Sequence, residues 1–161
     1  MDSQKLLLQL QEEAAKWPVD MLKKQYHAEK VSEYPVGSEA YLNEKNTLYN
    51  LKTMLELKEN AGSFYGENIP DPYDQHFIDS INGYMDTYAP GQKDLKDYIR
   101  ILSLYKTFVA KLPLHPPEMQ LPAGGKVYQK GKDYFCTAKR QYIHDKDSLC
   151  RFCTAKMCEY E

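Results

Sequence analysis

Four cysteines, Cys136, Cys150, Cys153 and Cys158, lie within the last twenty-six residues of a 161-residue chain, and none occurs before them. Their spacing is C-x13-C-x2-C-x4-C. Several thiolates gathered within a few ångströms are what a soft metal ion requires, and a Cys-x2-Cys pair on one turn, joined by two ligands from elsewhere, is the common tetrahedral zinc arrangement. Cys150 and Cys153 supply the pair, and Cys136 is the natural third ligand. The fourth is Cys158 or a histidine: His115 lies in a proline-rich stretch upstream, and His144 falls between Cys136 and Cys150.

An iron–sulfur cluster competes with zinc. Four cysteines can hold [4Fe–4S], and three of them within nine residues suit a cluster better than a ribbon with two Cys-x2-Cys pairs. The run resembles the iron staple of certain RecB-like nucleases, although its last gap is one residue shorter and the nuclease carboxylate–lysine motif is not evident. The plainer alternatives are buried thiols acting as small hydrophobes, and disulfides in an exported protein.

Little else in the chain points to chemistry. His27 and His76 sit on expected helices and read as surface or core-edge residues. Most of the 14 tyrosines fall on apolar helical stripes, where a ring is buried and its hydroxyl stays wet; Tyr84, Tyr98 and Tyr105 are read this way. Lys126-Val127-Tyr128-Gln129-Lys130 mixes aromatic and basic residues in a way that can stack bases. Gly124-Gly125 lacks a phosphate-loop context and reads as a turn. No Ser/His/Asp grouping, paired-carboxylate motif or dinucleotide fingerprint stands out, so catalysis finds no support in the motifs.

The bulk properties agree. A formal net charge of -2 offers no general attraction for nucleic acid or an anionic membrane. The longest apolar stretch near the start, Leu6-Leu7-Leu8, is far too short to span a bilayer, and no basic segment followed by an apolar core marks a signal peptide. The expectation is a cytoplasmic protein, in which reduced thiols favour metal over disulfide.

These ligands need elements to position them. Residues 1–112 read as a bundle of four to five helices. Leu6, Leu7, Leu10 and Ala14 form one stripe, interrupted at Trp17-Pro18; Val19, Met21, Leu22 and Tyr26 form a second. After a turn at Tyr34-Pro35-Val36-Gly37, Ser38 caps a long helix that ends at Asn60-Ala61-Gly62. Gly66 to Pro72 is a loop, and Asp71-Pro72 starts a helix running to Pro90-Gly91. The clearest stripe, Leu95 to Leu112, stops at Pro113.

Residues 113–161 differ. His115-Pro116-Pro117 cannot be helical. Lys126-Val127-Tyr128 and Tyr134-Phe135-Cys136 flank a turn and predict a β-hairpin, and the cysteine-rich end forms a helical turn. Residues 1–111 hold 13 Lys+Arg against 17 Asp+Glu, a charge of -4, whereas residues 112–161 hold 8 against 6, a charge of +2. Cations near thiols favour the thiolate that binds metal. No internal repeat or low-complexity segment is read in the chain.

His115-Pro116-Pro117, the Leu121 to Val127 segment with Gly124-Gly125, the Tyr134-Phe135-Cys136 triplet and the Leu149-Cys150-Arg151-Phe152-Cys153-Thr154-Ala155 run resemble an archaeal family found chiefly in methanogens, domain of unknown function 2115. The resemblance covers about the last fifty positions. It implies a cytoplasmic protein of an anaerobic archaeon, with a His-Pro start and cysteines matching Cys136, Cys150 and Cys153. A counterpart of Cys158 is not general in that family, which raises His115 as the fourth ligand. The family supplies no reaction.

The expected protein is thus mainly α: a helical bundle with a small cysteine-rich metal-binding module containing a β-hairpin. The expected ligands are Cys136, Cys150 and Cys153, completed by Cys158 or His115, around zinc or, alternatively, a [4Fe–4S] cluster. An accessory or protein-interaction role follows for the zinc form, and electron transfer or redox sensing for the cluster. The expected partner is another protein, with neither nucleic acid nor a membrane involved.

Overall fold

The computed structural model describes residues 2–28, 33–62, 71–119, 121, 125–145 and 148–158, with the side chains of 71–74 and 88 set aside. The Gly66 to Pro70 part of the expected loop and Gly124 lie outside the described residues.

Helix α1 (Ser3–Glu13) begins where the Asp2 carboxylate accepts the Lys5 N–H at 2.8 Å, and it buries Leu6, Leu7 and Leu10. A tighter 3-10 turn (Ala14–Lys16) follows, and α2 (Val19–Ala28) starts beyond Pro18, whose carbonyl accepts the Leu22 N–H. Helix α3 (Glu39–Glu59) is capped by the Ser38 hydroxyl, which takes the Tyr41 N–H at 3.2 Å. A side-chain oxygen at this position satisfies one of the otherwise unpaired first-turn amides. Helices α4 (Asp71–Tyr88) and α5 (Lys93–Leu104) complete the bundle.

Polar clamps set the helix ends. Gln11 donates to the carbonyls of Leu57 and Asn60, closing the end of α3 onto α1, and Lys58 donates to the Ala14 carbonyl. Lys16 bridges Asp94 and Asp97, and Arg100 pairs with Glu13. The apolar core lies between these clamps and contains Leu7, Leu10, Leu22, Met54, Leu57, Phe77, Ile81, Ile101 and Leu102. No helix among the described residues is long and apolar enough to cross a membrane.

The last expected helix does not run unbroken to Leu112. From Tyr105 to Val109 the backbone widens into a π-turn, with the Ala110 N–H on the Tyr105 carbonyl, and Lys111 ends the element at φ +54°. Such widened turns concentrate at functional sites. This one carries Lys106 into the interior, where it is 3% exposed.

Beyond the prolines, β1 (Val127–Lys130) and β2 (Asp133–Cys136) form the expected hairpin, in register Val127 with Cys136 and Lys130 with Asp133. Gly131 takes φ +65° at the first position of the two-residue turn, where a residue with a Cβ would be strained. The short helix α6 (Lys139–Tyr142) and a 3-10 turn (Cys150–Phe152) follow. Strand β3 (Lys156–Met157) then returns parallel to β2, giving sheet order β1-β2-β3.

The five long helices α1–α5 match the four to five expected of the bundle, and the four-residue α6 is a sixth, outside residues 1–112. Two expectations are corrected. Strand β3 extends the hairpin into a sheet. The cysteine-rich end does form a helical turn, but its middle residue belongs to the main core: Phe152 packs with Phe77 and Phe108 on α4 and the π-turn.

Candidate metal centre

Each thiol of interest comes from a separate piece of backbone. Cys136 ends β2 and is buried between the partners of its register, Val127 and Met157. Cys150 opens the 3-10 turn, and Cys153 follows it as the chain straightens. All four cysteines are free thiols. Cys136, Cys150 and Cys153 lie near enough that the charge of each of the last two raises the pKa of Cys136, and that of Cys153 raises the pKa of Cys150.

Polar groups lie beside each of these three sulfurs. The backbone amides of Ala138 and Lys139, where α6 begins, lie beside Cys136 and act to lower its pKa. The Cys150 N–H donates to Ser148 Oγ at 3.1 Å, which keeps the Ser148 side chain beside the Cys150 sulfur, where it acts to lower the thiol pKa. The Leu114 N–H donates to Cys153 Sγ at 3.4 Å. Donors of this kind favour thiolate, yet burial outweighs them and holds Cys136 and Cys150 above the ordinary thiol range. Lys139 lowers the pKa of Cys150, and Asp145 raises it.

Two lysines border the cluster. The Lys139 ammonium donates to the carbonyls of Cys153 and Ala155, at 2.8 and 2.7 Å. The Lys106 ammonium donates to Asn50 Oδ1 at 2.6 Å and to the Leu114 carbonyl at 3.3 Å, and lies 4.4 Å from the centre of the Tyr49 ring. Burial lowers Lys106 to about 7, against a counteracting pull from Cys153. The Tyr49 hydroxyl donates to the Pro113 carbonyl at 2.6 Å, and burial pushes its pKa well up. Lys106 and Tyr49 thereby hold the Pro113-Leu114 backbone against Cys153.

The two fourth-ligand candidates have different surroundings. His115 is next to Leu114 and is exposed at its surface, yet the protein packed around it, with the Lys106 charge, keeps its imidazole below the ordinary histidine range. Cys158 Sγ lies 3.3 Å from the Tyr128 hydroxyl and borders a recess of about 260 Å³ with Thr137, Arg140 and Gln141. His144 is exposed in the turn after α6. Among the described residues, no group of three or more His, Cys, Asp or Glu side chains stands at metal-binding spacing. The donors fit a soft ion in kind, and their sulfurs are gathered but not closed around one point.

Lys139, Lys106 and Ser148 escape a search for metal ligands. One signal for Lys139 is nonetheless present, and it corrects the expectation that the chain holds no internal repeat: Cys136-Thr137-Ala138-Lys139 recurs as Cys153-Thr154-Ala155-Lys156. In the first copy the thiol ends a strand, and in the second it precedes one. The lysine of the first copy grips the backbone of the second.

A mainly helical chain with a small three-stranded sheet near its C-terminal end defines the class. It belongs to the archaeal family described as "Uncharacterized protein conserved in archaea (DUF2115)", which matches residues 2–157. It is similar to UPF0305 proteins of three archaea. That of Methanocaldococcus jannaschii is 29% identical over 109 residues, covering 67% of this chain and 66% of its own length. One from Methanothermobacter thermautotrophicus is 30% identical over 82 residues, 50% of each chain. That of Methanococcus maripaludis is 23% identical over 159 residues, 97% of each chain. The chain thus spans less than two thirds of the length of the first two relatives. No solved structure matches the chain.

Proposed function

We propose that this protein binds zinc through Cys136, Cys150, Cys153 and His115, and that the ion fixes the C-terminal segment against the helical bundle. The carrying observation is the set of polar groups beside the three sulfurs: the Leu114 N–H bonded to Cys153, the Ser148 side chain beside Cys150, and the Ala138 and Lys139 amides beside Cys136. Groups of this kind orient metal-bound thiolates and tune their basicity. They do not by themselves overcome burial at Cys136 and Cys150, and a cation supplies what is missing.

His115 is preferred to Cys158 because its neighbour Leu114 is bonded to Cys153, whereas the Cys158 sulfur is engaged by Tyr128. Loading includes a final closure of the sulfurs, as expected where metal binding and folding are linked. Four protein ligands leave no open coordination position, which is the arrangement of structural zinc. The role that follows is that of an accessory factor presenting a metal-fixed segment to a protein partner, not that of an enzyme.

Metal analysis of anaerobically purified protein, with an absorption spectrum, tests this reading. Colourless protein with one zinc per chain is expected. Brown protein containing iron and labile sulfide overturns zinc in favour of a cluster. Folded, reduced protein that takes up neither metal overturns both.

A further inference from the structure

Lysine is almost never buried without a partner, yet Lys106 and Lys139 are 3% and 9% exposed, and neither ammonium has a carboxylate partner among the described residues. Both are held by neutral oxygens, and both lie beside the three thiols. Resting on the metal-centre reading above, we propose that Lys106 and Lys139 are the built-in counter-charges of the metal–thiolate centre, and that Lys139 is also the positioning residue that locks its two Cys-Thr-Ala-Lys turns together.

The repeat provides an internal comparison. Lys156 occupies the position equivalent to Lys139, but it is exposed and pairs with Asp133 at 3.1 Å. Lys139 instead turns inward and donates to the carbonyls on either side of Thr154, those of Cys153 and Ala155. Its own backbone N–H lies beside Cys136. One residue therefore touches both turns, through its amide on the first and its ammonium on the second. Lys106 acts through another segment: it holds the Leu114 carbonyl, and the N–H of Leu114 donates to Cys153 Sγ.

The charges explain why both groups are cations. A divalent ion with three thiolates and a neutral imidazole carries one net negative charge, and a fourth thiolate would make it two. An anion buried among protein atoms needs opposite charge nearby. Residues surrounding the ligands of a metal site usually affect affinity by about 10–100-fold.

The test uses full-length protein under anaerobic, reducing conditions. Zinc affinity is measured by competition with a chromophoric chelator, and cobalt(II) substitution reports the thiolate-to-metal charge-transfer bands. Lys139→Met is expected to weaken zinc binding by about 10–100-fold and to move the cobalt bands. Lys139→Arg should restore most of the affinity, and Lys156→Met, the matched control, should leave both readouts unchanged. Lys106→Met replaces a buried ammonium with an apolar chain of similar length and should weaken zinc in the same direction, so the test survives if Lys139→Met fails to give the helical circular dichroism of the parent. Wild-type protein that binds zinc while the folded lysine variants bind it equally tightly overturns this inference alone. Wild-type protein that takes up neither zinc nor cobalt overturns the metal centre, and this inference with it.

Discussion

The rings of Phe77 and Phe152 meet edge to face, with centroids 4.9 Å apart and planes at 84°. Phe152 lies between the two cysteines of the Cys-x2-Cys pair, so the candidate metal turn is anchored by the core of the helical bundle. Arg151 adds a second tie, donating to Ser80 Oγ at 2.8 Å. The placement of Cys150 and Cys153 thus depends on α4 as well as on the sheet.

This anchoring makes Phe152→Ala a global mutation. Removing a buried phenylalanine costs about 3–5 kcal/mol, and Phe152 is 7% exposed. Urea unfolding followed by far-ultraviolet circular dichroism should show that loss in the helical transition itself. A change confined to the C-terminal segment, with the helical midpoint unmoved, would contradict the packing.

The ligand set makes a separate prediction. Cys136→Ser, Cys150→Ser and Cys153→Ser should each sharply lower bound metal, as should His115→Ala. Cys158→Ser should leave metal content near one per chain. If Cys158→Ser empties the site and His115→Ala does not, the fourth ligand has been assigned to the wrong residue.

Lys106 gives the reduced, metal-free protein a pH signature. Its amine sits at about 7, against 10.5 for an ordinary lysine. Between these values the unfolded chain binds more protons than the folded one, so stability rises with pH, by about 1.4 kcal/mol per unit while Lys106 dominates. Cys136 and Cys150 have the opposite sign. Their folded pKa values are raised above 9.0, and stability declines once unfolded thiols begin to ionise. His115, lowered from 6.5, adds a loss on the acid side. Urea midpoints should therefore climb from pH 7 to a maximum near pH 9, and Lys106→Met should flatten the climb. Midpoints that fall over this interval would count against a buried amine.

Gly125 tests the close approach of β1 to the first Cys-Thr-Ala-Lys turn. A Cβ there would lie 3.1 Å from Ala138 Cβ and 3.2 Å from Thr137 Oγ1, tighter than side chains normally pack. Overpacking of this kind costs about 1–3 kcal/mol. Gly125→Ala should lower thermal stability accordingly, and it should weaken metal binding as well, because the Ala138 amide lies beside Cys136. A fully stable variant with unchanged metal affinity would show that this turn is free to move.

Most helices are legible in the sequence because their evidence is local. Ser38, the Trp17-Pro18 break and the Leu6-Leu7-Leu10 stripe each act within a turn or two, and the observed bounds follow them. The π-turn is not legible: Tyr105 and Phe108 keep the apolar spacing, and only the packing reveals that the backbone widens around Lys106. Strand β3 is invisible for a different reason. Its two residues are both exposed, and a parallel pairing with β2 arises from tertiary contact, not from alternation. At the site, the thiols stand out by type and spacing. The lysines do not, since a lysine is ordinarily a solvated residue, and the repeated tetrapeptide acquires meaning only once Lys139 is seen reaching from one copy to the other.

Phe77 and Phe152 are separated by 75 positions in the chain. During synthesis, in which N-terminal parts generally fold first, all five long helices leave the ribosome before the ring that completes their interior exists. The nascent bundle carries an open apolar slot beside Phe77 until the Cys150–Cys153 turn arrives to fill it. Final consolidation of the bundle and delivery of the thiol pair to its site are thereby the same event in time.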